Sequence, residues 1–216
     1  MKMKDNVFFV SGIDTNIGKS YATGFLAHMW TEQGLRTITQ KLVQTGNEAI
    51  SEDIELHRRI MGGGLFPEDR EGLTMPEIFS YPCSPHLAAE IDRRPIDFEK
   101  IQQATSILSE RFDAVLLEGA GGLMVPLTRD LLTIDYIAQH DYPLVFVTSG
   151  RLGSINHTLL SFEAIQRRGI RLHTVAFNLY PKEEDTRIQR DTENYIRDYV
   201  HIHFPEARFI VVPTLK

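Results

Sequence analysis

The sequence predicts an α/β protein built on a doubly wound, mainly parallel sheet with helices on both faces. Three observations carry that reading. Apolar runs of strand length recur along the chain, helical patterns separate them, and the first run ends in a glycine-containing turn that opens a helix. At 216 residues with 42% hydrophobic content, the chain is long enough for one domain, residues 1–216, with a core on both sides of a sheet.

The first strand, Asn6–Ser11, centres on Val7-Phe8-Phe9-Val10 and feeds a helix over Gly18–Gln33, whose stripe of Phe25, Leu26, Met29 and Trp30 is expected to face the sheet. Gly34 stands where a left-handed C-cap is wanted, before the second strand, Arg36–Lys41. Ser51 is the expected N-cap of a helix over Ser51–Met61. From Gly62-Gly63-Gly64 to Pro85 the glycines and Pro67, Pro76 and Pro82 break both periodicities, so this stretch reads as a long surface excursion, a candidate lid or substrate wall. Asp97 caps a helix over Asp97–Arg111 that leads to the third strand, Ala114–Glu118. The rest alternates: helix Thr133–His140 with Thr133 as its N-cap, strand Leu144–Thr148, helix Ser154–Arg168 closed by Gly169, strand Leu172–Phe177, helix Glu184–Phe204 and strand Arg208–Val212.

The turn after the first strand, Gly12-Ile13-Asp14-Thr15-Asn16-Ile17-Gly18-Lys19-Ser20, reads as a phosphate-binding loop of the P-loop NTPase kind. A strand that stops in such a turn and feeds a helix aims backbone N–H groups and the positive end of the helix dipole at one small volume. Lys19 would reach the β- and γ-phosphates of a triphosphate, and the Ser20 hydroxyl would take a place on Mg²⁺. The loop is a variant, because the commoner spacing would put its first glycine where Ile13 stands.

Ligands of open parallel sheets collect at the carboxyl ends of strands, so the polar residues just after each apolar run matter most. These are the loop itself, Lys41 with Thr45-Gly46, Glu118-Gly119-Ala120-Gly121-Gly122, and Asn178. Glu118 closes Val115-Leu116-Leu117, where a carboxylate is costly to desolvate unless it meets a cation or donors, and a metal ion would supply that cation. Asp53, in the first turn of its helix, reads equally as an acid complementing the helix dipole, and Lys41 equally as an exposed strand end. Their position favours a functional role, on the expectation that the second strand borders the first.

Net charge is −6 and the basic residues are scattered, which leaves no electrostatic footprint for nucleic acid or an anionic membrane. No apolar run reaches the length of a membrane span. The lone Cys83 cannot form an internal disulfide, and Met1–Asp5 runs into too short an apolar stretch for a signal peptide, so a cytoplasmic protein is expected. The sequon Asn156-His157-Thr158 then has no meaning for glycosylation. His201 and His203 would face different sides of a helix, against metal pairing, while His86 and Cys83 read as structural.

Together, the variant loop, Lys41 with Thr45-Gly46, Asp53, Ser84-Pro85-His86, Glu118-Gly119-Ala120-Gly121-Gly122, Leu152-Gly153-Ser154-Ile155-Asn156 and Asn178 resemble the dethiobiotin synthetase family over nearly the whole chain. The resemblance implies an ATP-dependent, Mg²⁺-dependent closure of a ureido ring on 7,8-diaminononanoate with CO₂, in a homodimer. One amine captures CO₂ as a carbamate, a carbamate oxygen attacks the γ-phosphate, and the second amine closes the ring and expels phosphate. By the same resemblance Lys41 and Lys19 are catalytic cations. Asn16, Ile17, Gly18, Lys19, Ser20 and Tyr21 wrap the phosphates, with Glu118, Gly119, Ala120 and Gly121 beside them, and Asn178 and Pro213 meet the base. Ser20, Asp53 and Glu118 hold Mg²⁺, and Thr15 and Thr45 bind the diamine or its carbamate. Gly153, Ser154, Ile155 and Asn156 catch the substrate carboxylate from the second subunit.

The chain departs from the family pattern at Leu42, where a proline is usual, and at Ser20, where threonine is commoner. It ends at Lys216, so an acidic residue that meets the nucleotide's sugar in some relatives has no counterpart, which leaves base and sugar selectivity open. The alternative from another class is a partition or septum-positioning switch ATPase; those proteins carry an extra lysine early in the loop, where this chain has Asp14. An amide-forming ligase acting on another carboxylate or amine is the other alternative.

Overall fold

A computed structural model describes residues 6–180 and 185–214 of the chain. Six parallel strands form the main sheet: β1 (Val7–Gly12), β2 (Thr37–Lys41), β5 (Ala114–Glu118), β6 (Leu144–Ser149), β7 (Leu172–Asn178) and β8 (Arg208–Val212). Their spatial order is β2-β5-β1-β6-β7-β8. A second pairing of two residues each joins β3 (Gln44–Thr45) to β4 (Ile78–Phe79). The helices are α1 (Lys19–Glu32), α2 (Glu52–Ile60), α3 (Pro67–Arg70), α4 (Pro85–Ile91), α5 (Phe98–Arg111), α6 (Thr133–Gln139), α7 (Ser154–Arg167) and α8 (Thr186–His203).

The pleat sends alternate strand residues to opposite faces, and the core divides accordingly. Phe9, Val115, Leu117, Leu144, Phe146, Val175 and Phe177 pack with apolar residues of α5, α6, α7 and α8, whereas Val10, Leu116, Val145, Val147 and Ala176 pack under α1. The central strands β1, β5 and β6, buried on both faces, are apolar over most of their length, as parallel sheets favour, whereas β2 buries Thr37, Thr39, Gln40 and Lys41. Leu26 and Trp30 of α1 are buried, while Phe25 and Met29 lie at the margin of the same cluster.

Three expectations are corrected. The second strand does not border the first: β5 lies between them, pairing Lys41 with Glu118 on one side and Val10 with Glu118 on the other. Thr133 is the first residue of α6 rather than its N-cap, which is Leu132, and its hydroxyl donates to Val125 O. The 62–85 stretch contains α3 and β4, and a helix opens at Pro85, where a proline at the first position fits because its missing N–H costs nothing there. Two-residue strands and four-residue helices leave no readable period in sequence. Ser51 and Asp97 do cap their helices, accepting from Ile54 N and Lys100 N. The expected helix start at Glu184, the Met1–Asp5 segment and Lys216 lie outside the described residues.

Candidate active site

The loop between β1 and α1 depends on its two glycines for different reasons. A Cβ on Gly12 would come within 2.5 Å of Ile17 Cδ1 and 2.7 Å of Val147 O, so only glycine allows this close approach. Gly18 has φ +75, and a Cβ there would meet Asn178 Nδ2 at 2.3 Å. Asn178 at the end of β7 donates to Ile17 O and Gly18 O at 3.0 and 3.1 Å, tying the loop to the sheet.

Beside this loop lies a pocket of about 670 Å³. Lys19 and Ser20 come to it from α1, Lys41 from β2, Thr45 from β3, Asp53 from α2 and Glu118 from β5. Of the residues singled out in the sequence, Thr15, Asn16, Gly18, Lys19, Ser20, Tyr21, Lys41, Thr45, Asp53, Glu118, Ala120 and Gly121 line it. Ile17 does not, because its side chain is buried in the core under α1. Gly119 is reached through its carbonyl, which accepts from Lys41 Nζ at 3.3 Å. Pro213 O accepts from the Tyr21 hydroxyl at 2.9 Å. Gly153, Ser154, Ile155 and Asn156 stand at the start of α7, outside this chain's own pocket. Pro82, from the 62–85 stretch, lines it.

The charges are tightly organised. Lys41 Nζ bridges Asp53 Oδ2 at 2.5 Å and Glu118 Oε1 at 2.8 Å. Burial works against the Lys41 ammonium, yet the Glu118 and Asp53 carboxylates outweigh it and raise its pKa above the ordinary lysine value. Glu118 is fully buried; burial pushes its pKa up, but the Lys41 charge and the His57 ring, with their hydrogen bonds, hold it well below the usual carboxylate range. Lys19 differs. Burial pulls its ammonium down to about 8, Glu118 and Asp53 counteract this only partly, and the ammonium folds back to donate to Asp14 O at 2.8 Å.

Ser20 Oγ sits 2.6 Å from Asp53 Oδ1 and 2.8 Å from Glu118 Oε1. One hydroxyl proton cannot serve both carboxylates, so three hard oxygens converge with one oxygen contact lacking its hydrogen. That donor set fits a hard divalent cation such as Mg²⁺, which takes a few protein oxygens and completes its shell from water and phosphate. Among the described residues no three His, Cys, Asp or Glu side chains gather into a metal-holding group, so an ion here would need the hydroxyl and phosphate oxygens as well.

Sequence reasoning overlooked Thr23 and His57, both fully buried and both on Glu118 Oε2, at 2.6 and 3.0 Å. Helical spacing could have found them: His57 follows Asp53 by four residues, and Thr23 follows Lys19 by four. It also overlooked Tyr180, which lines the pocket and stacks on Tyr21 with ring centroids 5.8 Å apart.

A model of the AAA domain matches residues 6–209. The chain is 49% identical to the ATP-dependent dethiobiotin synthetase BioD 2 of Pasteurella multocida over 97% of this chain and 98% of that relative. It is 52% identical to the ATP-dependent dethiobiotin synthetase BioD of Chlorobaculum tepidum over 90% of this chain and 81% of the relative. Among solved structures it is similar to a ParA family ATPase from Chlorobium tepidum (TM-score 0.55, 14% identity, 98% of this chain and 86% of that one). It is also similar to the signal recognition particle receptor FtsY of Elizabethkingia anophelis (TM-score 0.52, 15% identity, 98% and 60%). At those identities the structural likenesses speak for the P-loop NTPase fold alone. The near full-length identity to the curated relatives goes further: the chain belongs to the ATP-dependent dethiobiotin synthetases, ligases of biotin biosynthesis.

Proposed function

We propose that this pocket closes the ureido ring of dethiobiotin on 7,8-diaminononanoate, using CO₂ and ATP and releasing ADP and phosphate. The observation that carries the reading is the Lys41 ammonium, fixed between Asp53 and Glu118 and facing the same pocket as Lys19. Attack of a carbamate on a triphosphate brings two anions together, so the barrier falls where preset cations neutralise the approach and hold the atoms in line. Lys41, cationic at any neutral pH, meets the carbamate and the γ-phosphate. Lys19 exchanges Asp14 O for the β- and γ-phosphate oxygens. Thr15 and Thr45 hydrogen-bond the diamine or its carbamate, and the second amine then attacks the carbamoyl carbon and expels phosphate. Ser20, Asp53 and Glu118 would hold Mg²⁺, which neutralises phosphate charge.

Gly153–Asn156 of a second copy supplies the positive end of α7 to the substrate carboxylate, so the working unit is a homodimer. Two features support this: that helix start lies outside its own chain's pocket, and the cleft beside it, lined by Asp14, Thr15, Met124 and Leu160, leaves Met124 and Leu160 55% and 62% exposed. The test is a coupled assay with purified protein, bicarbonate, Mg·ATP and the diamine, scoring phosphate release and dethiobiotin by mass. Diamine-dependent release of both is expected; ATP turnover indifferent to the diamine refutes the reading.

A further inference from the structure

We infer that His57 is a positioning residue that locks the Glu118 carboxylate, presenting Oε1 to Ser20 and Lys41, and thereby sets the affinity of the site for a divalent cation. This rests on the nucleotide and metal reading above. His57 is fully buried and does not line the pocket, so whatever it does there it does through Glu118.

The hydrogen-bond chain behind it has a direction. An ionised carboxylate only accepts, so the proton facing Glu118 Oε2, 3.0 Å away, must sit on His57 Nε2. The other ring nitrogen, Nδ1, lies 3.0 Å from Thr39 Oγ1, and that hydroxyl oxygen accepts from Arg58 Nη1 at 2.8 Å, which leaves its own proton to face Nδ1 of the neutral ring. Arg58 is in turn gripped by Asp69 at 2.8 and 2.7 Å. The imidazole is therefore fixed at both ends, and its donor points at one oxygen of Glu118. That oxygen also meets Thr23 Oγ1 at 2.6 Å, which leaves the opposite oxygen, Oε1, for the pocket.

The scaffold places these groups economically. One face of α2 carries both Asp53 and His57, four residues apart, and one face of β2 carries both Lys41 and Thr39, two apart. Glu118 stands between the two elements. Without the His57 donor, Thr23 alone would hold Oε2, and the carboxylate could turn away from Ser20. Partners that orient a metal ligand in this way matter nearly as much as the ligand.

Mn²⁺ titrated into protein loaded with a non-hydrolysable ATP analogue, with free ion read by electron paramagnetic resonance, tests this directly. His57→Leu removes both hydrogen bonds. His57→Asn keeps a buried polar group that reaches Thr39 but falls short of Glu118, which guards against a variant that does not fold. His57→Gln returns an amide donor near the Nε2 position. The expected result is about 10- to 100-fold weaker Mn²⁺ binding in the Leu and Asn variants, with Gln within about threefold of the native protein and metal-free nucleotide affinity unchanged in all three. A merely structural role would lower the melting temperature without this pattern. Native Mn²⁺ affinity in His57→Asn, or Gln behaving no better than Asn, overturns the inference while leaving the proposed function standing. If the native nucleotide-loaded protein takes up no Mn²⁺, the metal reading of the site fails and this inference falls with it.

Discussion

Replacing Arg58 with methionine removes the most completely buried guanidinium of the fold. Its side chain is 1% exposed and that of Asp69 is 0% exposed; the two meet in a bidentate pair at 2.8 and 2.7 Å, and Arg58 also donates to the Thr39 hydroxyl. Methionine fills much of the space but leaves the Asp69 carboxylate with only Thr74 Oγ1 and Phe66 N as donors. Breaking a buried pair from one side costs about 3–5 kcal/mol, because the remaining charge is uncompensated. At about 2–4 °C per kcal/mol for a chain of this size, the melting temperature should fall by about 6–20 °C. Burial pushes the Asp69 pKa up, but the Arg58 hydrogen bonds and charge outweigh this and hold it below 3.8. A depressed carboxylate pKa contributes stability above its unfolded value and loses it as pH falls through the folded one. The gap between native and variant proteins should therefore close as pH drops below about 4. The double variant Arg58→Met/Asp69→Leu should recover a large part of the loss. Calorimetry at neutral and acid pH decides the matter: a fall of less than about 3 °C at neutral pH, or a double variant worse than the sum of the singles, refutes the reasoning.

Lys41→Ala should reduce diamine-dependent phosphate release by about 10²–10³-fold while nucleotide still binds; full activity would remove Lys41 from the mechanism. Lys19, lowered by burial to about 8, must be charged to meet phosphate, so nucleotide binding should take up a proton and metal-free affinity should fall about tenfold per pH unit above 8. Calorimetry in buffers of different ionisation enthalpy reads that uptake, and an affinity unchanged between about pH 7.5 and 9.5 contradicts it. If the proposed homodimer forms through this face, Leu160→Glu, at an exposed position of α7, should give monomers in sedimentation and abolish turnover; a native protein that sediments as a monomer, or a variant dimer with full activity, would refute this interface.

The loop was legible because its constraints are local. Gly12 and Gly18 are glycines for reasons of space and backbone sign, and Lys19 and Ser20 follow them directly. Glu118 was legible because a carboxylate ending an apolar run demands a partner. What could not be read locally was the partner's identity. Lys41 and Glu118 are 77 positions apart, and the insertion of β5 between β1 and β2 is a fact of strand order that no periodicity records. His57 and Thr23 stand one helical turn beyond Asp53 and Lys19, a spacing that marks them as candidates, but that both serve Glu118 shows only once the strand behind the two helices is placed. The β3–β4 pairing escaped because two residues are too few to show alternation.

The ladder between β2 and β5 sets Lys41 directly opposite Glu118. Ammonium and carboxylate therefore meet at a distance governed by interstrand spacing, which is nearly the same in every sheet. Insertions or deletions in the long connection that carries α2 to α5 could reshape the rim of the pocket, yet they would leave this pair where it is. The part of the site that must not vary is thus insulated from the part best able to diversify.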